Sequence, residues 1–174
     1  MDAEAVHKII TGASHSGFYA DDLDKTIDFY TKVLGAKLEW RKDGEKNSLI
    51  KLYIGDFGLS IIKRPPNVPK TELPHAIHFA YLAEPHDAEA VIKHVKSCGV
   101  EVEGPLGHGN EPENVSWFFV DPDDYRLEIE ARYPTAQEAA EVVARGKAER
   151  NAHMGLYGGD TVKKGNGILE GAGG

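Results

Sequence analysis

The pattern of apolar and polar residues in the first half of the chain predicts one strand, one helix and three more strands. Residues 13–20 alternate as a half-buried strand does. Apolar residues then recur at helical spacing from Leu23 to Leu34, with aspartates at the start of the helix and Gly35 at its end. The three further strands are AKLEWR, NSLIKLYIG and GLSIIKR, and short turns separate them.

The second half of the chain repeats this order after a proline-rich connector, residues 65–74, in which we expect neither helix nor strand. The repeated elements are AIHFAYLA, the helix HDAEAVIKHVKSCG, and the strands VEVEGP, NVSWFFVD and YRLEIEAR. An offset of 64 residues matches Gly35 to Gly99. The pattern predicts an α+β fold of two tandem βαβββ modules, 9–64 and 75–132.

The C-terminal region, residues 133–174, departs from the repeat. Thr135 and Glu138 fit a capping box that opens a helix, which we expect to reach about Arg150. Glycine is frequent beyond Gly158, so we expect the end of the chain to be a flexible tail.

Composition and charge exclude several classes of partner. The net charge is -8 and the basic residues are scattered, which argues against nucleic-acid binding. The chain has no apolar run of transmembrane length and no signal-peptide pattern at its N-terminus, so we expect a cytoplasmic protein without a membrane partner. The single cysteine, Cys98, cannot form an internal disulfide, and we expect it to be a packed structural thiol.

Three of the predicted strands carry side chains that could bind a metal. Alternation along β-structure turns His78 away from the apolar face of its strand, beside the small residue Ala80. His15, followed by Gly17, has the same place in the first strand, and the last strand presents Glu128. Two imidazoles and a carboxylate with open coordination positions are typical of non-haem Fe(II) sites, and Mn²⁺ tolerates the same arrangement.

Each of these residues also has an ordinary structural interpretation. Histidines in strands are often satisfied surface or core groups, and the E-x-E pattern around Glu128 is often only solvated charge. His75, beside the connector, is the main alternative to His78 as a ligand. The place of His15 and His78 in a repeated unit, one position apart at the offset of the repeat, favours the metal site.

Several motifs resemble the vicinal oxygen chelate superfamily, which includes glyoxalase I, extradiol dioxygenases, fosfomycin-resistance enzymes, epimerases and bleomycin-binding proteins. These motifs are HSGF at 15–18, DLDK at 22–25, FYTKVLG at 29–35, HFAY at 78–81 and DPDDYRLE at 121–128. The resemblance covers residues 9–132. It implies that the two βαβββ modules form one open, barrel-like cleft. It also implies a metal that two vicinal oxygens of a small substrate chelate, with His15, His78 and Glu128 at the ligand positions, and we expect a homodimer.

Departures from the patterns of the superfamily favour some of its reactions over others. Glyoxalase I and related epimerases commonly place Glu or Gln in the last strand of the first module, where this chain has Ser60. Two histidines and one glutamate instead resemble the extradiol dioxygenases and the fosfomycin-modifying enzymes. We therefore expect an Fe(II)-dependent dioxygenase that acts on a catechol-like substrate, with Mn, Ni or Zn as alternative metals. The alternative functions are a metal-dependent isomerase or lyase, a fosfomycin-type thiol transferase and a metal-free drug-binding resistance protein.

Five other residues complete the predicted site. His108 lies between glycines in the loop GPLGHGNEPEN and is the candidate acid–base group, because imidazole exchanges protons near neutral pH. Tyr19, Lys63 and Arg126 are candidates for binding a polar or anionic substituent of the substrate. Phe118 stands where the extradiol enzymes usually carry a tyrosine, and we expect it to line the substrate site.

Overall fold

The computed structural model describes residues 13–44, 47–74 and 76–156, with side chains as far as residue 149. His75, residues 9–12 and the glycine-rich tail therefore lie outside the described residues. Eight strands and three helices occur in the described ranges. In chain order they are β1 (His15–Ala20), α1 (Leu23–Leu34), β2 (Lys37–Lys42), β3 (Leu49–Ile54), β4 (Phe57–Lys63), β5 (His78–Leu82), α2 (Pro85–Ser97), β6 (Glu103–Gly107), β7 (Asn114–Val120), β8 (Arg126–Arg132) and α3 (Ala136–Leu156).

The strands form two four-stranded sheets with the same topology. Sheet A has the order β1-β4-β3-β2 and sheet B has the order β5-β8-β7-β6. The first and last strands of each module pair in parallel, and the other neighbours pair antiparallel. The repeat confirms the prediction of tandem βαβββ modules, and neither described sheet closes into a barrel.

Local sequence signals set the ends of the helices. The carboxylate of Asp22 accepts hydrogen bonds from the first turn of α1, and Gly35 ends this helix with a left-handed backbone at φ 64°. At the start of α3 the backbone N–H of Glu138 donates to Thr135 Oγ1 at 3.2 Å, as a capping box requires. The helix continues to Leu156, beyond the predicted end. No helix in the described ranges is long and apolar enough to cross a membrane.

Helices cover one face of each sheet and leave the other face open. The covered faces are buried, and their fully buried side chains, such as Leu52, Ile61 and Leu127, each contribute about 2 kcal/mol through the removal of apolar surface from water. Because side chains alternate along a strand, the same packing directs His15 and His78 to the open faces. The open faces therefore carry the two histidines that were predicted to bind a metal.

The two modules contact each other through their helix-covered sides. The ring of Phe18 in β1 lies 5.3 Å from that of Phe79 in β5 and 4.7 Å from that of Tyr125. Tyr30 in α1 donates its hydroxyl to Asp121 Oδ2 at 3.0 Å, and both residues are buried. Burial raises the pKa of Asp121 to about 6, although backbone N–H groups and Tyr30 act in the opposite direction.

Cys98 differs from its prediction. It lies at the C-terminal end of α2 and is exposed, with its Sγ 3.8 Å from His94 Nε2. The helix presents Ile92 and Val95 to the core and ends at Ser97, so that Cys98 is its C-terminal cap residue. The expected packed thiol is therefore a surface thiol.

Candidate functional site

His78 and Glu128 meet on the open face of sheet B. They lie on the neighbouring strands β5 and β8, and His78 Nε2 is 2.8 Å from Glu128 Oε2. The side chain of Glu128 is 3% exposed and that of His78 is 34% exposed. A buried carboxylate requires a hydrogen-bond donor or a cation nearby, and the imidazole fills that place here.

The hydrogen bonds of both predicted histidines use Nδ1. His78 Nδ1 lies 3.0 Å from the carbonyl oxygen of Ala76, which can only accept, so Nδ1 carries the hydrogen. His15 Nδ1 lies 2.8 Å from Ser14 Oγ. Hydrogen bonds of this kind fix the tautomer and the ring orientation of histidines that bind metals through the other nitrogen.

His15 does not join the pair within one chain. It lies exposed on the open face of sheet A, opposite Gly58 of β4. Among the residues that the structure describes, no group of three His, Cys, Asp or Glu side chains is arranged to hold a metal ion. The structure thus brings together two of the three predicted ligands and leaves the third on the other module.

A cavity of about 1030 Å³ opens beside the connector, and its lining includes Ile77, next to His78 in the chain, but neither His78 nor Glu128 itself. It is lined by three of the four predicted substrate-binding residues, Tyr19, Phe118 and Arg126. Phe118 lies opposite Glu128 and Arg126 lies opposite His78 in the strand register. The guanidinium of Arg126 stacks over the Phe118 ring, 4.2 Å from its centroid. Arg126 and Phe118 therefore link the cavity to the pair, because both line the cavity and each lies in register with one member of the pair.

A comparison of the sequence with known protein families identifies the family to which the chain belongs. Residues 12–129 match the Glyoxalase/Bleomycin resistance protein/Dioxygenase superfamily. The chain belongs to this superfamily. It is the group that the motifs of the sequence resemble, and its members include enzymes with different reactions.

Individual relatives narrow the reaction classes. The chain is 27% identical over 136 residues to a lactoylglutathione lyase of Arabidopsis thaliana, a match covering 75% of this chain and 48% of the lyase. It is also 27% identical over 134 residues to the glutathione transferase FosA of Serratia marcescens, covering 76% of this chain and 89% of FosA. The chain thus spans about half the length of the plant relative. Neither relative is named a dioxygenase, so the expected dioxygenase activity gains no support.

Solved structures share the fold. The fosfomycin resistance protein FosX of Listeria monocytogenes superposes with a TM-score of 0.61 at 21% identity, covering 75% of this chain and 98% of FosX. A second FosX structure, with bound Mn(II) and sulfate, gives a TM-score of 0.56 at 20% identity and covers 72% of this chain and 95% of FosX.

Two predicted residues of this superfamily member lie away from the large cavity. Lys63 is in register with the buried Ala20, on the helix-covered side, and its ammonium contacts the carbonyl oxygen of Asp21. His108 directly follows β6, and its Nε2 lies 2.7 Å from the buried Ser116 Oγ. It lines a separate cavity of about 450 Å³ beside α3.

One charged residue on the open face of sheet A was not predicted from the sequence. Lys51 in β3 lies directly opposite Ser60 in β4, and its Nζ donates to Ser60 Oγ at 3.1 Å. Ser60 holds the place at which glyoxalase I and related epimerases commonly carry Glu or Gln. Alternation within NSLIKLYIG would have shown Lys51 on one face, but only the strand register identifies its neighbour.

Proposed function

We propose that this protein is a metal-dependent enzyme that transfers a thiol to a small substrate carrying two adjacent oxygen atoms. The observation that carries the proposal is the contact of His78 Nε2 with the nearly buried carboxylate of Glu128, 2.8 Å apart on the open face of sheet B. The similarity to the glutathione transferase FosA supports this class of reaction.

The chemistry of the pair fits a divalent cation. Because His78 Nδ1 carries its hydrogen to Ala76, Nε2 hydrogen-bonds to Glu128 only when the pair holds one further proton. A divalent cation between an imidazole nitrogen and a carboxylate oxygen would replace that proton and offset the burial of the carboxylate. We infer Mn²⁺ as the first metal to test, since FosX binds it. A bound metal would supply Lewis-acid polarisation of the substrate oxygens.

The residues of the chain bind and orient the reactants in this proposal. A cavity of about 1030 Å³ lies at the upper end of the range for small-molecule sites, so it has room for both a thiol and a second small molecule. Phe118 and Tyr19 provide aromatic walls, and Arg126 presents N–H donors to polar groups. We infer an epoxide as the group of the substrate that accepts the thiol. The thiol sulfur bonds to an epoxide carbon, the C–O bond breaks with its electrons on oxygen, and that oxygen receives the thiol proton.

A lyase is the second candidate, because the Arabidopsis relative carries that name. Such a reaction moves a proton between adjacent carbons, so it needs a base beside the substrate. At the place where the lyase family commonly carries Glu or Gln, this chain has Ser60 hydrogen-bonded to the ammonium of Lys51. Neither group is a carboxylate base, and this observation supports transfer over the lyase reaction.

We also propose that two copies of the chain complete the metal site. His15 belongs to the predicted ligand set but stays apart from His78 and Glu128, and the described residues of one chain provide no set of three ligands. A symmetric homodimer would allow His15 of one copy to approach the pair of the other copy, twice in each dimer.

Complementation tests the metal site and the dimer together. His15→Ala and His78→Ala proteins should each fail to bind Mn²⁺ stoichiometrically. When the two are unfolded together and refolded, about half of the dimers are mixed and each mixed dimer has one intact site, so about a quarter of the sites should recover the metal. Recovery of none would exclude the shared site, and full binding by either single variant would remove that histidine from the ligand set.

Turnover assays test the reaction. The Mn²⁺-loaded protein should consume glutathione or another thiol together with a small epoxide, with the adduct identified by mass spectrometry. Conversion of the glutathione adduct of a 2-oxoaldehyde, without net thiol consumption, would replace the transferase by the lyase. Oxygen uptake with a catechol would restore the dioxygenase, and binding without any turnover would favour a drug-binding protein.

A further inference from the structure

On the open face of sheet A lies an ammonium group that has no carboxylate partner among the described residues. Lys51 is half-buried, and its Nζ donates to Ser60 Oγ at 3.1 Å and lies 5.4 Å from the centroid of the Tyr53 ring. No Asp or Glu within the described ranges forms an ion pair with it, although other basic residues such as Arg41 and Lys70 have such partners. A partly buried charge without a nearby counter-charge is costly, because burial removes part of its hydration.

A glycine beneath the ammonium makes its position specific. A Cβ at Gly58 would lie 2.6 Å from Lys51 Nζ, too close for any real contact, and 3.1 Å from the Cβ of His15. The ammonium therefore occupies the space that a side chain at position 58 would fill, directly beside His15. Gly17 adds further room on this face, because it lies in register with Ser60.

Lys51 and Ser60 together present two hydrogen-bond donor groups, an ammonium and a hydroxyl. Ser60 Oγ accepts from the ammonium, so the hydroxyl hydrogen of Ser60 remains available to donate. The ammonium has three donors, and Ser60 takes one of them. Two donor groups, with three free hydrogens and one positive charge, form on a half-buried surface the usual recognition elements for a carboxylate, phosphate or phosphonate group.

We propose that Lys51 and Ser60 form a binding site for an anionic oxygen group of the substrate. The identification of that group with the substrate rests on the proposed function, which makes His15 a metal ligand; anion binding itself does not. Arg126 is a weaker candidate for the same task, because its guanidinium already contacts Glu103 at 3.3 Å and stacks on Phe118. The substrate would then carry an anionic substituent in addition to its two adjacent oxygens.

Tryptophan fluorescence provides a direct test with inorganic phosphate as the probe. The chain has two tryptophans, of which Trp117 is buried, whereas Trp40 is 42% exposed and lies opposite Lys51 in the strand register. Phosphate added to the metal-free protein at constant ionic strength should change the fluorescence emission of Trp40 in a saturable manner. Lys51→Met should weaken phosphate binding by about 10- to 100-fold, the loss expected for a charge-assisted hydrogen bond.

Three variants separate recognition from a loss of structure. Lys51→Arg should retain phosphate binding, and Gly58→Ala should weaken it although the charge is still present, because the new Cβ displaces the ammonium. Lys93→Met, which removes an exposed lysine from α2, is the control for overall charge and should have no effect. A titration that does not saturate in the wild type, or that is equal in Lys51→Met, would overturn the site. Since neither metal nor thiol is present, such a result would leave the proposed enzymatic reaction intact, and a failure of turnover would leave the anion site intact.

Discussion

The open faces of the two sheets share a histidine at one pair of equivalent positions but carry opposite charges at the next. In the strand registers, His15 of sheet A corresponds to His78 of sheet B, and Ser60 corresponds to Glu128. Lys51, opposite Ser60, has the place that Phe118 has opposite Glu128. Both faces therefore carry an imidazole, but sheet B combines it with a carboxylate, which attracts a cation, whereas sheet A combines it with an ammonium and a hydroxyl.

The difference shows what a duplicated scaffold fixes and what it leaves to the residues. The β-structure determines which positions share the open face, and the identity of the residue determines the charge there. In sheet B, the ring of Phe118 stacks against the guanidinium of Arg126. In sheet A, the smaller neighbours Gly58 and Ser60 leave room for Lys51. A chelating substrate with an anionic substituent would satisfy both faces, and the following variants test the contrast.

The largest expected effect is on metal affinity, and it should occur at Glu128 but not at the equivalent position Ser60. Glu128→Ala should reduce Mn²⁺ affinity by at least about 100-fold, because partners that only orient a ligand already cost 10- to 100-fold. Ser60→Ala, at the corresponding position of sheet A, should leave the metal affinity unchanged. Calorimetric titration with Mn²⁺, with circular dichroism to verify folding, measures both. Loss of metal binding in Ser60→Ala would contradict the prediction that only the open face of sheet B provides the carboxylate-dependent metal site.

A second comparison concerns two buried tyrosines on opposite sides of the module junction. Tyr30→Phe removes the donor to Asp121 and should lower the free energy of unfolding by about 2–3 kcal/mol, since it leaves a buried carboxylate less satisfied. The hydroxyl of Tyr81 is buried without a hydrogen-bond partner in the described ranges, so Tyr81→Phe should cost nothing or stabilise the protein slightly. Urea denaturation of the two variants measures the difference. Equal losses would show that the bond to Asp121 has no special role.

The sequence predicts the elements well because their signals are local. Alternation within each strand places His78 and Glu128 on one face, and the cap residues define α1. Alternation also excludes Lys63 from the face of Ser60, since an odd number of positions separates them, and this signal was available in the sequence.

Features that depend on distant parts of the chain could not be predicted. The pairing of Lys51 with Ser60 depends on the register of the hairpin between β3 and β4. The separation of His15 from the pair depends on how the modules dock through contacts such as Phe18 with Phe79. The hydrogen bond of His108 to Ser116 depends on the path of the chain between β6 and β7. No local pattern encodes these relations.

The turns between the last two strands of each module offer a comparison by pH. Burial raises the pKa of Asp121 to about 6, above the value near 3.9 in an unfolded chain. The folded state thus holds this proton more tightly, which stabilises it below about pH 4, and the stabilisation is lost as the pH rises through 6. Asp121→Asn should remove about 2 kcal/mol of pH dependence between pH 4 and 6.

The matched control for this pH effect is Asp56, which is exposed in the turn between β3 and β4. Asp56→Asn should leave the pH profile of the wild type unchanged. Thermal unfolding of the three proteins at a series of pH values measures both expectations. A profile of Asp121→Asn that parallels the wild type would mean that other groups cause the pH dependence.

The smallest expected effect concerns the glycines that end the first helix of each module. Gly35 and Gly99 have left-handed backbones, with φ of 64° and 81°, and nothing lies within 4 Å of a Cβ added at either position. Substitution by alanine therefore adds backbone strain without a steric clash, and each variant should lose about 1 kcal/mol of unfolding free energy. Urea denaturation should give similar losses for Gly35→Ala and Gly99→Ala. Gly35 directly follows α1, whereas Gly99 follows the cap residue Cys98 of α2, so the two modules share a left-handed glycine after the helix. A clearly larger loss at one glycine would show that this shared feature contributes differently in the two modules.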